Sequence, residues 1–327
     1  MPISRRTLIA TLAASSAASL LPRSALAAYP DRPIRLIVPF APGGNADIVG
    51  RLVAERISSA LGVPVVVENR GGAGGSIGAE AVARSAPDGY TLFVGSNGPL
   101  TVNPFVQAKL GYDPLKDFVA VALTSYVPHA IILNDKVAAK TVAELIALSK
   151  KQQISIATSG VGSATHMTLE RFKAQTGANV VHVPYRSGGQ LMPDVIGGTI
   201  QAAMTEFSTA LPQHKGGKAH IVAITAAKRS QLAPEIPTFI EAGVKDFTAA
   251  SYIGILAPAG TPPAIVAQLQ KAIANALASG PAPDKLRGMG SEIATPEQMT
   301  PAGFAAFIRA DYDRMREAAK LAGLTPK

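Results

Sequence analysis

Residues 34–52, IRLIVPFAPGGNADIVGRL, constrain the fold more than any other stretch, because they set a strand, a glycine turn and an amphipathic helix start end to end. The run IRLIV is short, apolar and β-branched, as suits a strand buried on both faces of a parallel sheet. Pro39 and Pro42 stop it, and Gly43 and Gly44 supply a turn that permits positive φ and close approach to the main chain. Asn45 is expected to cap the next helix, whose apolar positions Ile48, Val49, Leu52, Val53 and Ile57 recur at helical spacing. A turn at a helix N-terminus presents unpaired N–H groups and the positive end of the helix dipole, which together attract an anion without a basic side chain. A plain βα connection uses the same glycines, and the stretch alone leaves both readings open.

The pattern then repeats. Residues 63–68 (VPVVVE) and 90–95 (YTLFVG) read as strands, with a glycine-rich turn and an alanine-rich helix over 71–84 between them. Parallel strands joined by helices predict a doubly wound α/β sheet whose ligand crevice lies beyond the strand C-termini, where strand order reverses. With the order 2-1-3, the loops facing that crevice are 39–47 and 96–98, which nominates Ser96 and Asn97, and the loop after the second strand lies outboard. That loop, GGAGGS at 71–76, imitates a dinucleotide fingerprint, but Ile77 stands where the third glycine belongs and no acid ends the next strand. No cofactor is expected.

From about Ser125 the alternation restarts, with strands at 131–133, 154–157, 180–183, 200–204 and 221–224 and a helix at 141–150 capped by Thr141. The turn SGVGSATH enters a helix as the first unit does. A strand at 252–256, a helix with Thr261 as cap and Pro262 at its first position, and a long helix over 301–321 return to the first sheet. The expectation is two doubly wound α/β domains in a flytrap arrangement with two hinge crossovers, residues 29–125 with 250–327 forming one and an inserted 126–249 the other.

Residues 1–28 stand apart. Arg5 and Arg6 precede an apolar run, and Ala25-Leu26-Ala27 fits a small-residue cleavage site, the pattern of an export signal of twin-arginine or general secretory type. The apolar run is shorter than the roughly 20 residues a membrane span needs. The chain has no cysteine, hence no disulfide or thiolate site, and its five histidines show no metal-ligand spacing. Its formal charge of +9 falls to +6 once Arg5, Arg6 and Arg23 leave with the leader, and the basic residues are dispersed, so nucleic acid is not an expected partner. A hydrolase elbow would need Gly-x-Ser-x-Gly, which Gly95-Ser96-Asn97-Gly98 and Gly162-Ser163-Ala164 both miss. A phosphate loop would need Ser or Thr after Gly217-Lys218, where Ala219 stands.

Taken in order, YPDRPIRLIVPFAPGGNAD, VENRGGAGGSIGAEAVARSAPDGYTL, NPFVQAKLGYDPLKDF, SGVGSATH, HVPYRSGG, AAKRSQLAPEIPTFIEAG, APAGTPP and FAAFIRADY cover nearly the whole mature chain. Together they resemble the Bug, or tripartite tricarboxylate transporter receptor, family. The resemblance implies a monomeric periplasmic receptor, not an enzyme, that closes on a small organic carboxylate and serves membrane permease subunits or, alternatively, a membrane sensor protein; an exported hydrolase is the formal outsider. It also implies that backbone groups and ordered water of two facing glycine-rich loops hold one carboxylate. On this sequence those loops supply Phe40, Gly43, Gly44 and Asp47, then Ser159, Gly162, Ser163 and His166. Phe40 would pack on the ligand's carbon skeleton or in the core. Asp47, in the first helical turn, would repel an anion and is expected to fix its loop through backbone N–H groups. His166 is expected to stabilise its own loop. Three positions depart from the family pattern: Arg186-Ser187 stands for the usual Lys-Gly, Thr205 for a common Asp with Glu206 after it, and Tyr252 for a common tryptophan. Arg186, Thr205 and Glu206 lie at strand ends facing the cleft and are expected to tune ligand choice.

Overall fold

The computed structural model describes residues 29–321; the expected export signal at 1–28 lies outside the described residues. Strands β1 (Ile34–Val38), β2 (Val65–Asn69) and β3 (Thr91–Gly95) are parallel in the order 2-1-3. Leu36, Ile37 and Val38 are buried, as their unbroken apolar run demands. β2 starts two residues later than expected because Pro64 has no N–H to give and only offers its carbonyl to Ile34 N (2.9 Å). Helix α1 (Asn45–Leu61) ends on Gly62 in the left-handed region, φ 71°. Its cap is Gly44, not Asn45: Asn45 is already helical, and its Oδ1 accepts from Ser208 Oγ (3.1 Å).

The loop after β2 is not outboard as expected. Gly72, Gly74 and Gly75 at positive φ curl it back ahead of α2 (Ser76–Ala83), and a Cβ on Gly74 would sit 2.4 Å from the carbonyl oxygen of Val161. Asn103 Nδ2 pins it by donating to Gly74 O (3.1 Å).

β4 (Phe118–Leu133) is one long strand where the sequence suggested only 131–133. Its partners change after Pro128. Residues 118–128 pair antiparallel with β9 (Ala250–Pro258); His129 to Leu133 pair with β7 (Ala202–Glu206) on one side and β8 (His220–Ile224) on the other. β7 begins two residues later than expected. Beyond it β5 (Ile154–Thr158) and β6 (Val180–Pro184) run parallel, so the sheet reads β2-β1-β3-β9-β4-β7-β5-β6. The order 6-5-7 repeats 2-1-3. Along β4, Ile131 and Leu133 enter one apolar cluster while Ala130 and Ile132 enter the other, the period-two alternation of a sheet covered on both faces.

Helix α3 (Val142–Lys151) has the expected Thr141 cap, which accepts from Glu144 N (3.2 Å). Helix α4 (Ala164–Thr176) follows β5, α5 (Gly188–Gly197) follows β6, and α6 (Phe207–Lys215) follows β7. Helix α7 (Pro263–Ala278) packs against α1, and α8 (Pro301–Leu321) against β4. Pro262, not Thr261, precedes α7 as its cap: Ile265 N and Val266 N donate to Pro262 O (3.0 and 3.1 Å), while the Thr261 hydroxyl donates to Pro258 O (2.8 Å). No described helix is long and apolar enough to cross a membrane.

Candidate functional site

Four helix N-termini converge on one small cavity. Its wall includes Gly44, Asn45 and Ala46 at the start of α1, Ser163 and Ala164 at α4, Ser187 and Gly188 at α5, and Glu206 at α6. Each follows the C-terminal end of a parallel strand, so the chain delivers its helices' positive ends to one place. About 30 Å³ is open to the centre of a water molecule, room for two or three waters. A second, wider cavity of about 290 Å³ lies against the first, with Phe40 and Ser159 forming part of both walls.

The inner cavity offers donors with nothing to bond. The first intrahelical bond of α1 is Ile48 N to Gly44 O (3.1 Å), which leaves the N–H groups of Asn45 and Ala46 ahead of it without a helical acceptor. In α4, Ser163 Oγ accepts from His166 N (3.2 Å) and Met167 N bonds Ser163 O (3.1 Å), so Ala164 N–H is left over in the same way. The hydroxyls of Ser96 and Ser159 are each 6 % exposed and have no partner among the described residues. Buried hydroxyls are costly without a bond, so these are places a ligand oxygen would satisfy.

Of the residues nominated from sequence, Phe40, Gly44, Ser96, Asn97, Ser159, Ser163 and Glu206 line this cavity. The others do not. Gly43 N–H donates to Asp47 Oδ2 (3.0 Å), and Asp47 is further held by Arg51 and Asn69 behind the loop. Burial alone would raise the Asp47 carboxyl, but these donors outweigh it and hold the group below the usual carboxylate range. Gly162 N–H is likewise spent on His166 Nδ1 (3.2 Å), and the His166 ring stacks on His182 at 4.1 Å. Asp47 and His166 thus stiffen their loops as expected, while Gly43 and Gly162 have no N–H left for a ligand. The positive φ of the first turn falls on Gly43 (85°), not Gly44 (−87°). Arg186 lines the outer cavity only, and Thr205 lies behind Glu206, donating to its Oε2 (3.3 Å).

Sequence reasoning missed Ser251 and His129. Ser251 Oγ contacts Glu206 Oε1 (3.3 Å) and His129 Nε2 (2.9 Å), and His129 Nδ1 contacts Thr168 Oγ1 (2.8 Å). His129 is fully buried, which pushes its pKa down to about 3 and keeps it neutral. Burial pushes the Glu206 carboxyl up, against the opposing pull of Thr205 and Ser251. The single signal available was position: both lie where β4 and β9 exchange partners. Among the described residues no group of His, Asp and Glu is placed to hold a metal.

Comparison with known proteins identifies relatives of the whole chain. The sequence profile described as "Tripartite tricarboxylate transporter family receptor" matches residues 49–321. Protein BugT of Bordetella pertussis is 37 % identical over 275 residues, 83 % of this chain and 84 % of that one. The periplasmic binding protein BugD superposes with a TM-score of 0.88 at 33 % identity, covering 91 % of this chain and all of that structure. MatC from Rhodopseudomonas palustris, solved with bound malate, gives 0.85 at 30 % identity, covering 89 % of this chain and all of MatC.

Proposed function

Because the chain belongs to the tripartite tricarboxylate transporter receptor family, one of receptors and not of enzymes, we propose that it is a periplasmic receptor for a small organic carboxylate. On this reading the carboxylate sits in the inner cavity, held by N–H groups of Asn45, Ala46 and Ala164 and by the hydroxyls of Ser96 and Ser159. The observation that carries it is the pair of buried, unpartnered hydroxyls at the meeting point of four helix N-termini. The malate in MatC supports the ligand class.

The residues on the two sides of the β4 and β9 crossovers act as two lobes, and closure makes direct bonds between them. Ala41 N donates to Arg186 O (3.2 Å), Ser187 Oγ to Pro42 O (3.4 Å) and Ser208 Oγ to Asn45 Oδ1 (3.1 Å). Gly43 and Gly189 are in backbone contact. A ligand bridging both sides favours this closed form by its differential affinity, and the closed form is what a permease or a sensor protein reads. Phe40 divides the inner from the outer cavity and covers the bound solute. Arg186, in the outer cavity, draws anions toward the entrance without touching the bound carboxylate.

Isothermal titration of the purified protein against a panel of mono- and dicarboxylates, with product analysis, tests this. Binding without turnover is expected; turnover, or no affinity for any carboxylate, overturns it. Small-angle scattering should show compaction on saturation.

A further inference from the structure

Among the described residues, Glu206 is the only charged side chain in the wall of the inner cavity. Among the described residues no lysine or arginine accompanies it in that wall; its carboxylate accepts from its own backbone N–H and from the hydroxyls of Thr205 and Ser251, both at 3.3 Å. It lies beside the N-terminus of α5, since a Cβ on Gly188 would be 3.2 Å from Glu206 Oε2, and it is itself the residue before α6. Two of the four positive helix ends are therefore already answered by Glu206. The ends of α1 and α4, with the free hydroxyls of Ser96 and Ser159, are left for a ligand anion.

A cavity with an unanswered donor set and a lone, partly buried carboxylate suits a solute that carries both signs. We infer that Glu206 makes this a receptor for amino-carboxylates, its carboxylate bonding the solute's ammonium group while the solute's own carboxylate meets Asn45, Ala46, Ser96 and Ser159. The inference rests on the proposed receptor function and narrows its ligand class.

The hydrogen bonds behind Glu206 make the choice readable. Neutral His129 carries one N–H, so the row Thr168, His129, Ser251, Glu206 runs in one of two directions. In one, Thr168 donates to Nδ1, Nε2–H donates to Ser251 Oγ, and Ser251 donates to an ionised Glu206. In the other, Thr168 donates to Ala164 O (3.0 Å), Nδ1–H donates to Thr168, Ser251 donates to Nε2, and only a protonated Glu206 can donate to Ser251. An ammonium ligand selects the first direction. A dicarboxylate, which would bring a second anion against Glu206, selects the second, with Glu206 protonated.

The test is titration of the purified protein with sets of equal carbon skeleton: propanoate, alanine, 3-aminopropanoate and malonate, then butanoate, 2-aminobutanoate, 4-aminobutanoate and succinate. Repeating each in buffers of different ionisation enthalpy counts protons. An amino-carboxylate is expected to bind at least about tenfold more tightly than the plain acid and the diacid of its set, with no proton uptake and with His129 as the Nε2–H tautomer by nitrogen NMR. Glu206→Gln, a near-isosteric change, should remove that preference; Ser251→Ala should weaken it. Tight binding of malonate or succinate overturns the inference while the receptor function stands. So does a preference for amino-carboxylates that Glu206→Gln leaves untouched. If no carboxylate of any kind binds, the receptor function fails and this inference with it.

Discussion

Gly189→Ala is the sharpest probe of closure. Gly189 is in the first turn of α5, and a Cβ there would stand 2.5 Å from the carbonyl carbon of Gly43, 2.7 Å from its oxygen and 2.8 Å from its Cα. Both partners are backbone, so no side chain can swing aside; the loops must separate by about an ångström to reach ordinary contact. Overpacking of this kind costs about 1–3 kcal/mol, and the cost falls only on the form in which the two loops touch. At about 1.4 kcal/mol per tenfold, the dissociation constant for a bound carboxylate should rise about 5- to 150-fold. Stability should hold or rise slightly, because alanine is the better helix residue by about 0.5–1 kcal/mol. Gly43→Ala is the control: its φ of 85° strains an L-residue in every state, while its Cβ would sit a comfortable 3.6 Å from Gly189 Cα. It should lower the urea midpoint and leave affinity nearly unchanged. Titration calorimetry beside urea unfolding reads both quantities. If Gly189→Ala binds like the wild type, the Gly43–Gly189 contact is no part of ligand capture and the closure mechanism is wrong.

Asp47→Asn should destabilise the protein by about 1–3 kcal/mol, because the loop loses the charged acceptor of Gly43 N–H and the Arg51 partner; as the native carboxyl is held low, its contribution is complete above the unfolded pKa near 3.8 and is lost as pH falls through the native value, which urea midpoints across pH 2–6 will display. His129 has the same sign for a different reason: its native pKa near 3 lies below the ~6.5 of the unfolded chain, so stability should fall as pH drops from about 6.5 toward 3, and His129→Gln should flatten that slope. A slope unchanged in His129→Gln would mean the ring is not buried neutral. Arg186→Ala should change the dissociation constant by less than about threefold yet slow association and reduce its salt dependence; a total loss of binding would replace the backbone-held carboxylate with an arginine clamp.

Most of the parallel framework was legible because its residues speak locally. The β-branched run at Ile34, the glycine turns and the Thr141 cap each fix structure within a few residues, and alternating strands and helices leave few ways to arrange them. The antiparallel joints were not legible. Phe118 to Leu133 contains proline and polar residues that make sense only once β9 and β7 are beside them, and no local pattern says that Ser251 will meet Glu206 and His129 from far along the chain. The candidate site divided in the same way. Loops rich in glycine and serine pointed to the cavity, but which N–H groups remain free depended on bonds such as Gly43 to Asp47 and Gly162 to His166 that consume the most conspicuous candidates.

The four helix ends around the cavity also bear on how such a protein can change over evolutionary time. Main-chain donors belong to no side chain, so a point mutation cannot delete them; only a proline, or a change that moves a whole helix, removes one. On the proposed reading, the grip on an anion is therefore robust to drift in a way an arginine clamp is not, since a clamp is lost in one codon. Side chains in the wall, Glu206 and Ser251 among them, are free to vary against that fixed background. A gene copy that acquires a new residue at position 206 keeps a working anion seat from its first generation, and divergence toward a new solute begins from a functional receptor.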